Sequence, residues 1–574
     1  MSTERLVDEQ TRTADAILQV LAEAGIGMVF GIAGGHTGRL FMALANHQNA
    51  LRTVLVREES LAGAMAEVYG RLTRRPGVII GQGPWILGNG LLGTLEAYLS
   101  SSPMLLLTDF SDNPGYGLHG PYQAGTGDYG TWNARQAFAA VTKQVFEAHD
   151  PAAGVQATQF AIKHALAGQP GPVTVLYAAG GLSGHVGPDT KPALYRTAPY
   201  LPPAPPPLDP AAVAAAAAAI GRAERPVVIA GNGVRISGAF DQLVAFAEAL
   251  GAPVATSASG KGTFAEHHPL ALGVFGTFGI KAANAAVAEA DVVIVVGSKL
   301  GISDTARANP ALLDPTRQTF VQIDVEPRNA SWTFPAEHVL IGDAGQALRQ
   351  LREALAATGT PAARRAAGEA RVAAIRAEQG YFDAPEYTSD AAPILPQRVI
   401  GALRKVLPDD AIVTCDAGEN RILMTHFYQN RAPNGFLQAA GAGPMGFGIP
   451  AALAAKLVHP ERVVVAICGD GGFAMTMNGL MTAVEQNIPI INVVFNNSAL
   501  GWVLHGGGPF AAEFDDFDHA AIARAMHCHG IRVTEPDQLE DAIREAIACG
   551  RPTVIDVVTS LDVSYRDVTS PLAG

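Results

Sequence analysis

Short apolar runs that end on a glycine, an acid or an asparagine recur along this chain, separated by stretches of helical spacing. "GVIIGQG", "PMLLLTD", "RPVVIAGNG", "DVVIVVGSK", "VVVAICGDGGF" and "IINVVFNN" are all of this kind. Val, Ile and Leu fill each run without polar alternation, the pattern of strands covered on both faces. "TADAILQVLAEAG", "ESLAGAMAEVYGRLTRR" and "PQRVIGALRKVLP" supply amphipathic helices between them. Such alternation implies parallel sheets with helices on both sides. The expected fold class is α/β, with doubly wound parallel sheets.

The chain has 574 residues, and single cores rarely grow beyond roughly 250–300. The prolines between Pro199 and Pro210 favour an extended tether, and "YTSDAAPILP" reads as a second linker. Three domains are therefore expected, over residues 10–190, 209–360 and 393–574.

A formal net charge of −13 argues against a nucleic-acid partner, which would call for a basic face. No apolar run approaches the length of about 18 residues that a spanning helix needs, so no membrane partner is expected. The N-terminal stretch has no apolar signal core. Cys415, Cys468, Cys528 and Cys549 form no CxxC pair, which fits a reduced, cytoplasmic protein.

The segment "GDGGFAMTMNGLMTAVEQNIPIINVVFNNSALG" concentrates the chemistry. Asp470 stands in a glycine turn after one apolar strand, and Asn496 and Asn497 end the next. Adjacent parallel strands bring their carboxyl ends side by side, so Asp470 and Asn497 can meet at one cation. A hard cation such as Mg²⁺ takes oxygen ligands in octahedral geometry. Glycines and a helix N-terminus nearby suit a diphosphate.

This stretch resembles the metal–diphosphate motif of thiamine diphosphate enzymes. The order of the three domains is similar to acetolactate synthase-like members: pyrimidine-binding, central, diphosphate-binding. The resemblance implies that Asp470, the Asn497 side chain and the Ala499 carbonyl hold Mg²⁺. Gly471 and Gly472 would lie against the diphosphate, as would Gly418 and Glu419 of "CDAGEN". In "GAGPMGFGIPAA", Met445 takes the place of the residue that wedges the cofactor into a bent form. The Gly443 carbonyl and the Met445 amide would bond the aminopyrimidine.

The family also uses a glutamate to move a proton at the pyrimidine ring. Counting back from Met65–Ala66 and Tyr69–Gly70–Arg71 aligns Glu59 with it; Glu58 occupies the usual His position, a departure. His36 in "GIAGGHTG" is a candidate proton relay or carbonyl-oxygen ligand, and Gln123 resembles a Gln near the cofactor. Trp85 stands where the family has a glycine and would narrow the pocket or stack on a substrate. Leu500, Trp502 and His505 would lie over the cofactor. The central domain resembles those that bind FAD, ADP or CoA, or nothing. It retains only Lys299 and Asp304 of the flavin-associated pattern, so FAD stays a candidate alongside thiamine diphosphate and Mg²⁺.

The implied activity is carbon–carbon ligation or cleavage on a 2-keto acid or 1,2-diketone through an enamine. The rivals are an acyl-CoA decarboxylase resembling oxalyl-CoA decarboxylase, a flavin-dependent pyruvate oxidase-like enzyme, and a noncatalytic binding protein on this fold. The first domain of one subunit usually faces the third of another in this family, which implies a homodimer or homotetramer.

Overall fold

The computed structural model describes residues 4–110, 123–357 and 363–573; the ends of two expected domains, 360 and 574, lie outside them. Three six-stranded sheets are present, each parallel throughout. The first runs, in spatial order, Arg52–Leu55, Met28–Gly31, Gly77–Ile80, Met104–Asp109, Pro172–Tyr177, Gln144–Ala148. By chain order that is second, first, third, fourth, sixth, fifth. The last sheet repeats the same order with Phe436–Gln438, Ile412–Cys415, Val464–Gly469, Ile491–Asn496, Thr553–Val558 and His529–Val533. The middle sheet differs. Its order is third, second, first, fourth, fifth, sixth, from Ala271–Val274 to His338–Ile341, the arrangement of dinucleotide-binding folds.

The strands are apolar because helices cover both faces. Val292–Val296 is buried at every position, as are Gly77–Ile80 and Pro172–Tyr177. Helix ends follow local chemistry. Asp150 caps Pro151–Leu166 by accepting the Ala153 amide at 2.9 Å, with proline in the first turn. Leu539–Cys549 stops at Gly550, whose φ of +60° suits glycine.

The chain divides into two compact units. One comprises Met1–Pro203, Gly441–Val458 and Thr476–Gln486; the other comprises Ala204–Ala440, His459–Met475 and Asn487–Gly574. The first sheet lies in the first unit. There the helix Gly448–Val458 packs against the helix Glu59–Thr73. The middle and last sheets belong to the second unit, each with its own apolar core.

In the first unit Glu59–Thr73 also crosses Leu91–Ser100 at two glycines. A Cβ on Gly93 would stand 1.9 Å from the Gly63 carbonyl carbon, so the crossing has no room for a side chain. Replacing Gly93 by Ala should destabilise the protein by about 3 kcal/mol, the upper end for overpacking. Gly88→Ala, at a position with open space around it, should be neutral or gain up to about 1 kcal/mol. Urea unfolding of the two variants beside the parent chain checks both.

Candidate active site

In each outer sheet the crossovers reverse between the first and third strands in chain order, and the loops at their carboxyl ends diverge there. Ligands of open α/β sheets bind at such points. In the second unit these strands are Ile412–Cys415 and Val464–Gly469, and Ile491–Asn496 lies next to the latter. Their exits carry Gly418–Glu419, Asp470–Gly472 and Asn497–Ala499.

The structure brings Asp470, Asn497 and Ala499 together. Asp470 begins the helix Asp470–Thr476 and is 5% exposed. Its Oδ1 accepts the Gly471 amide at 2.9 Å and its Oδ2 the Ala499 amide at 3.2 Å. The same Ala499 amide lies 3.1 Å from Asn497 Oδ1. Burial pushes the Asp470 carboxyl up to about 6, against the opposing pull of the backbone amides of residues 471 and 497–499. Among the described residues Asp470 has no ion-pair partner. A buried carboxylate without a counter-charge is unfavourable. A hard cation between this carboxylate, the Asn497 amide oxygen and a main-chain carbonyl is the complement the site lacks, so the donor set fits Mg²⁺.

Two of the glycines expected along a diphosphate stand where a side chain fits poorly. Gly418 has φ +101°, and a Cβ on Gly472 would come 2.9 Å from Asp416 Cγ. Glu419 heads the helix Glu419–Phe427, and its carboxylate is engaged. It accepts the Tyr565 amide at 2.9 Å and meets His505 Nδ1 at 2.7 Å, while His505 Nε2 lies 3.0 Å from the Leu561 carbonyl. Trp502 stacks on Tyr565, with ring centres 4.0 Å apart. These residues tie the helix Gly501–Gly507 to the Glu419 end of the sheet.

In the first unit the equivalent strands are Met28–Gly31 and Gly77–Ile80, which exit into Gly34–Thr37 and Gln82–Gly83. Asp109, at the end of the next strand, holds both loops. Its Oδ2 accepts the His36 amide at 2.8 Å and the Thr37 amide at 3.3 Å; its Oδ1 accepts the Gly83 amide at 3.4 Å. Burial raises the Asp109 carboxyl above the ordinary range, and these amides oppose the shift. The GHT turn lies over Gln82, whose Nε2 donates to Gln123 Oε1 at 3.1 Å. His36 Nδ1 sits 3.2 Å from Arg39 Nη1. A cavity of about 300 Å³ adjoins Gln123, walled by Trp85, Leu87, Thr131 and Trp132.

Glu59 and Glu58 differ in burial and in partners. Glu59 is 9% exposed and accepts from Asn89 Nδ2 at 3.1 Å. Glu58 is more open and takes the Ser60 hydroxyl at 2.8 Å. Gly443 has φ +68°, and Met445 is half-buried, leaving part of its side chain available to a ligand.

Sequence reasoning missed Asp109, Arg71 and Glu96. Asp109 closes "PMLLLTD", an apolar strand ending in an acid like that before Asp470, and that likeness was the available signal. Arg71 entered only as a landmark of the family pattern, and Glu96, inside a helix, carried no signal.

Three family models of the thiamine pyrophosphate enzymes match the chain. The N-terminal TPP binding domain covers residues 11–128, the central domain 213–351 and the C-terminal TPP binding domain 416–557. The chain is 31% identical to the "probable acetolactate synthase large subunit" of Methanocaldococcus jannaschii, over 95% of this chain and 91% of that protein. It is 30% identical to the acetolactate synthase isozyme 3 large subunit of Escherichia coli, over 94% and 92%. It is also 30% identical to a "probable 2-ketoarginine decarboxylase" of Pseudomonas aeruginosa, over 96% and 94%.

The raised carboxyl of Asp470 has a measurable cost. Its folded value of about 6 exceeds the ordinary 3.8, so the metal-free protein loses stability as pH rises from about 4 to 6 and stays lower above that. At about 1.4 kcal/mol for each pH unit between the two values, the loss is up to about 3 kcal/mol. Asp470→Asn should therefore stabilise the metal-free protein at pH 7 and flatten this part of the profile. Thermal melts across pH 4–8 in the presence of a chelator read both effects.

Proposed function

Because the chain belongs to the thiamine pyrophosphate enzymes, we propose that it uses thiamine diphosphate and Mg²⁺ to make or break a carbon–carbon bond beside a carbonyl. The substrates in this reading are 2-keto acids or 1,2-diketones. The observation that carries it is the convergence of Asp470, Asn497 and Ala499 at the carboxyl edge of the last sheet. Thiamine diphosphate supplies an electron sink for a carbanion next to a carbonyl.

The chain's own residues divide the remaining work. Asp470, Asn497 and the Ala499 carbonyl would hold Mg²⁺. Gly418, Gly471 and Gly472 would let the main chain approach the diphosphate, with Glu419 fixing the neighbouring helix through His505. Glu59 would hold and release a proton at the pyrimidine ring, where the Gly443 carbonyl and Met445 amide would orient the exocyclic nitrogen. The Met445 side chain would wedge the cofactor. His36 and Gln123 would orient the substrate carbonyl: Asp109 holds the His36 amide, and Gln82 donates to the Gln123 side chain. In this assignment residues 10–190, 209–360 and 393–574 serve as pyrimidine-binding, central and diphosphate-binding domains.

The cavity beside Gln123, with two indoles in its wall, favours a donor larger than the smallest keto acids. It supports a specialised carboligase or lyase. FAD is retained as a candidate for the central sheet on its strand order. Of the flavin-associated pair, Asp304 accepts the Ala258 amide at 3.1 Å, and Lys299 Nζ lies 5.5 Å from the Trp332 ring centre. A bound flavin would colour the purified protein yellow. A homodimer or homotetramer in the cytoplasm completes the reading, and the four free cysteines suit a reducing compartment.

A panel of 2-keto acids and 1,2-diketones, followed for CO₂ and for products by mass, tests it. Turnover should require both thiamine diphosphate and Mg²⁺. Glu59→Gln should lower kcat by about 100-fold or more, the range for loss of a positioned acid or base. Unchanged turnover in that variant on every accepted donor would exclude the catalytic assignment and favour a noncatalytic binding protein.

A further inference from the structure

Arg71, Glu67 and Glu96 form a buried polar station in the first unit that the catalytic assignment does not use. Glu67 and Glu96 are 0% exposed and Arg71 is 3% exposed. Arg71 Nη2 lies 2.6 Å from Glu67 Oε1 and 3.1 Å from Glu96 Oε1. Ser102 donates to Glu67 Oε1 at 2.5 Å, and the Ser100 hydroxyl donates to Glu96 Oε1. One guanidinium thus faces two carboxylates. Stability alone does not explain the second acid, because well-packed apolar residues commonly replace buried ions without loss.

What Glu96 reaches supplies the reason. Its Oε1 accepts the Gly441 amide at 3.2 Å, and its Oε2 accepts the Ala442 amide at 2.7 Å. These are the first residues of "GAGPMGFG". The approach depends on glycine: a Cβ on Gly441 would stand 2.8 Å from both Leu99 Cβ and Ser100 Oγ. At the other end of the segment, the Phe447 ring centre lies 5.7 Å from the Arg71 guanidinium, within cation–π range. The segment that carries Gly443 and Met445 is therefore pinned at both ends by one ion pair. That pair sits toward the far end of the helix that Glu59 begins.

We propose that Glu96 is a positioning residue for the cofactor: by holding the Gly441 and Ala442 amides, it fixes where the Gly443 carbonyl and the Met445 side chain stand. This rests on the reading that the segment faces thiamine diphosphate. Glu96→Gln keeps the size of the side chain but turns an N–H donor toward one of two N–H groups, so the grip is lost. Calorimetric titration with thiamine diphosphate in excess Mg²⁺ should show Kd raised about tenfold in this variant. Ser102→Ala, which removes a donor to Glu67 and touches no atom of the segment, should keep the parent Kd even where it lowers the melting temperature. Gly441→Ala, which pushes the segment off Glu96 and leaves the ion pair intact, should reproduce the loss. It also carries the test alone if Glu96→Gln does not fold. Parent-like affinity in the folded Glu96→Gln or Gly441→Ala protein would overturn the positioning role. Failure of the parent protein itself to bind thiamine diphosphate would instead overturn the functional reading on which the role rests.

Discussion

A carboxylate removed from water must be answered by a cation, by amide hydrogens or by a proton, and this chain uses different answers at different acids. Glu96 meets a guanidinium and two main-chain amides. Asp109 takes amides from two loops. Asp470 takes amides as well, yet its carboxyl stays pushed up to about 6. Burial leaves the Asp109 carboxyl raised as well, so what distinguishes the two acids is where their partners lie. Asp109 joins two loops of its own sheet through their amides. Asp470 lies against the Asn497–Ala499 turn, and among the described residues no cationic side chain answers its charge.

Parallel connection explains why the acids gather where they do. Every crossover in a parallel sheet returns to the same edge, so strand exits accumulate at the carboxyl ends, beside helix N-termini that favour negative charge. The first and last sheets share one strand order. Their exits at the reversal point are accordingly comparable: the GHT and GQG turns on one, "DAGEN" and "GDGG" on the other. The middle sheet has a different order, and its exits at the reversal pack on each other. A Cβ on Gly233 would stand 2.5 Å from Gly297 Cα. Contact of that kind brings the exits of the first and fourth strands of the middle sheet together.

Much of this was legible in the sequence because it was local. Asp470 and Asn497 could be paired on paper: each ends an apolar run, consecutive runs make adjacent strands, and adjacent strands share an edge. Glu59 was set apart from Glu58 by the resemblance of Met65–Ala66 and Tyr69–Gly70–Arg71 to the family pattern, and Glu59 is the more buried of the two. Long-range partners were not legible. Glu96 meets Ala442 across 346 positions, and within its own helix it looks like a solvated acid. Nor does an apolar helix announce which surface it covers. The residues of Gly448–Val458 read as part of a continuous last domain, and the folded chain places them in the first compact unit against Glu59–Thr73.

Backbone strain marks the same loops from another direction. Gln123 and Ser498 are held at φ +59° and +52°, a region that costs a side chain roughly 1–2 kcal/mol. Glycine would relieve each at once, so retaining a side chain needs a reason. For Gln123 it is visible: the side chain accepts from Gln82, its carbonyl accepts Trp132 Nε1, and together these tie the GQG turn to the indole that walls the cavity. For Ser498 the gain lies in the backbone. The left-handed turn points the Asn497 side chain and the Ala499 amide at the same carboxylate neighbourhood, and a flexible glycine there would loosen the geometry around Asp470 at a larger entropic cost. Strain and burial therefore coincide at the Asp470 edge.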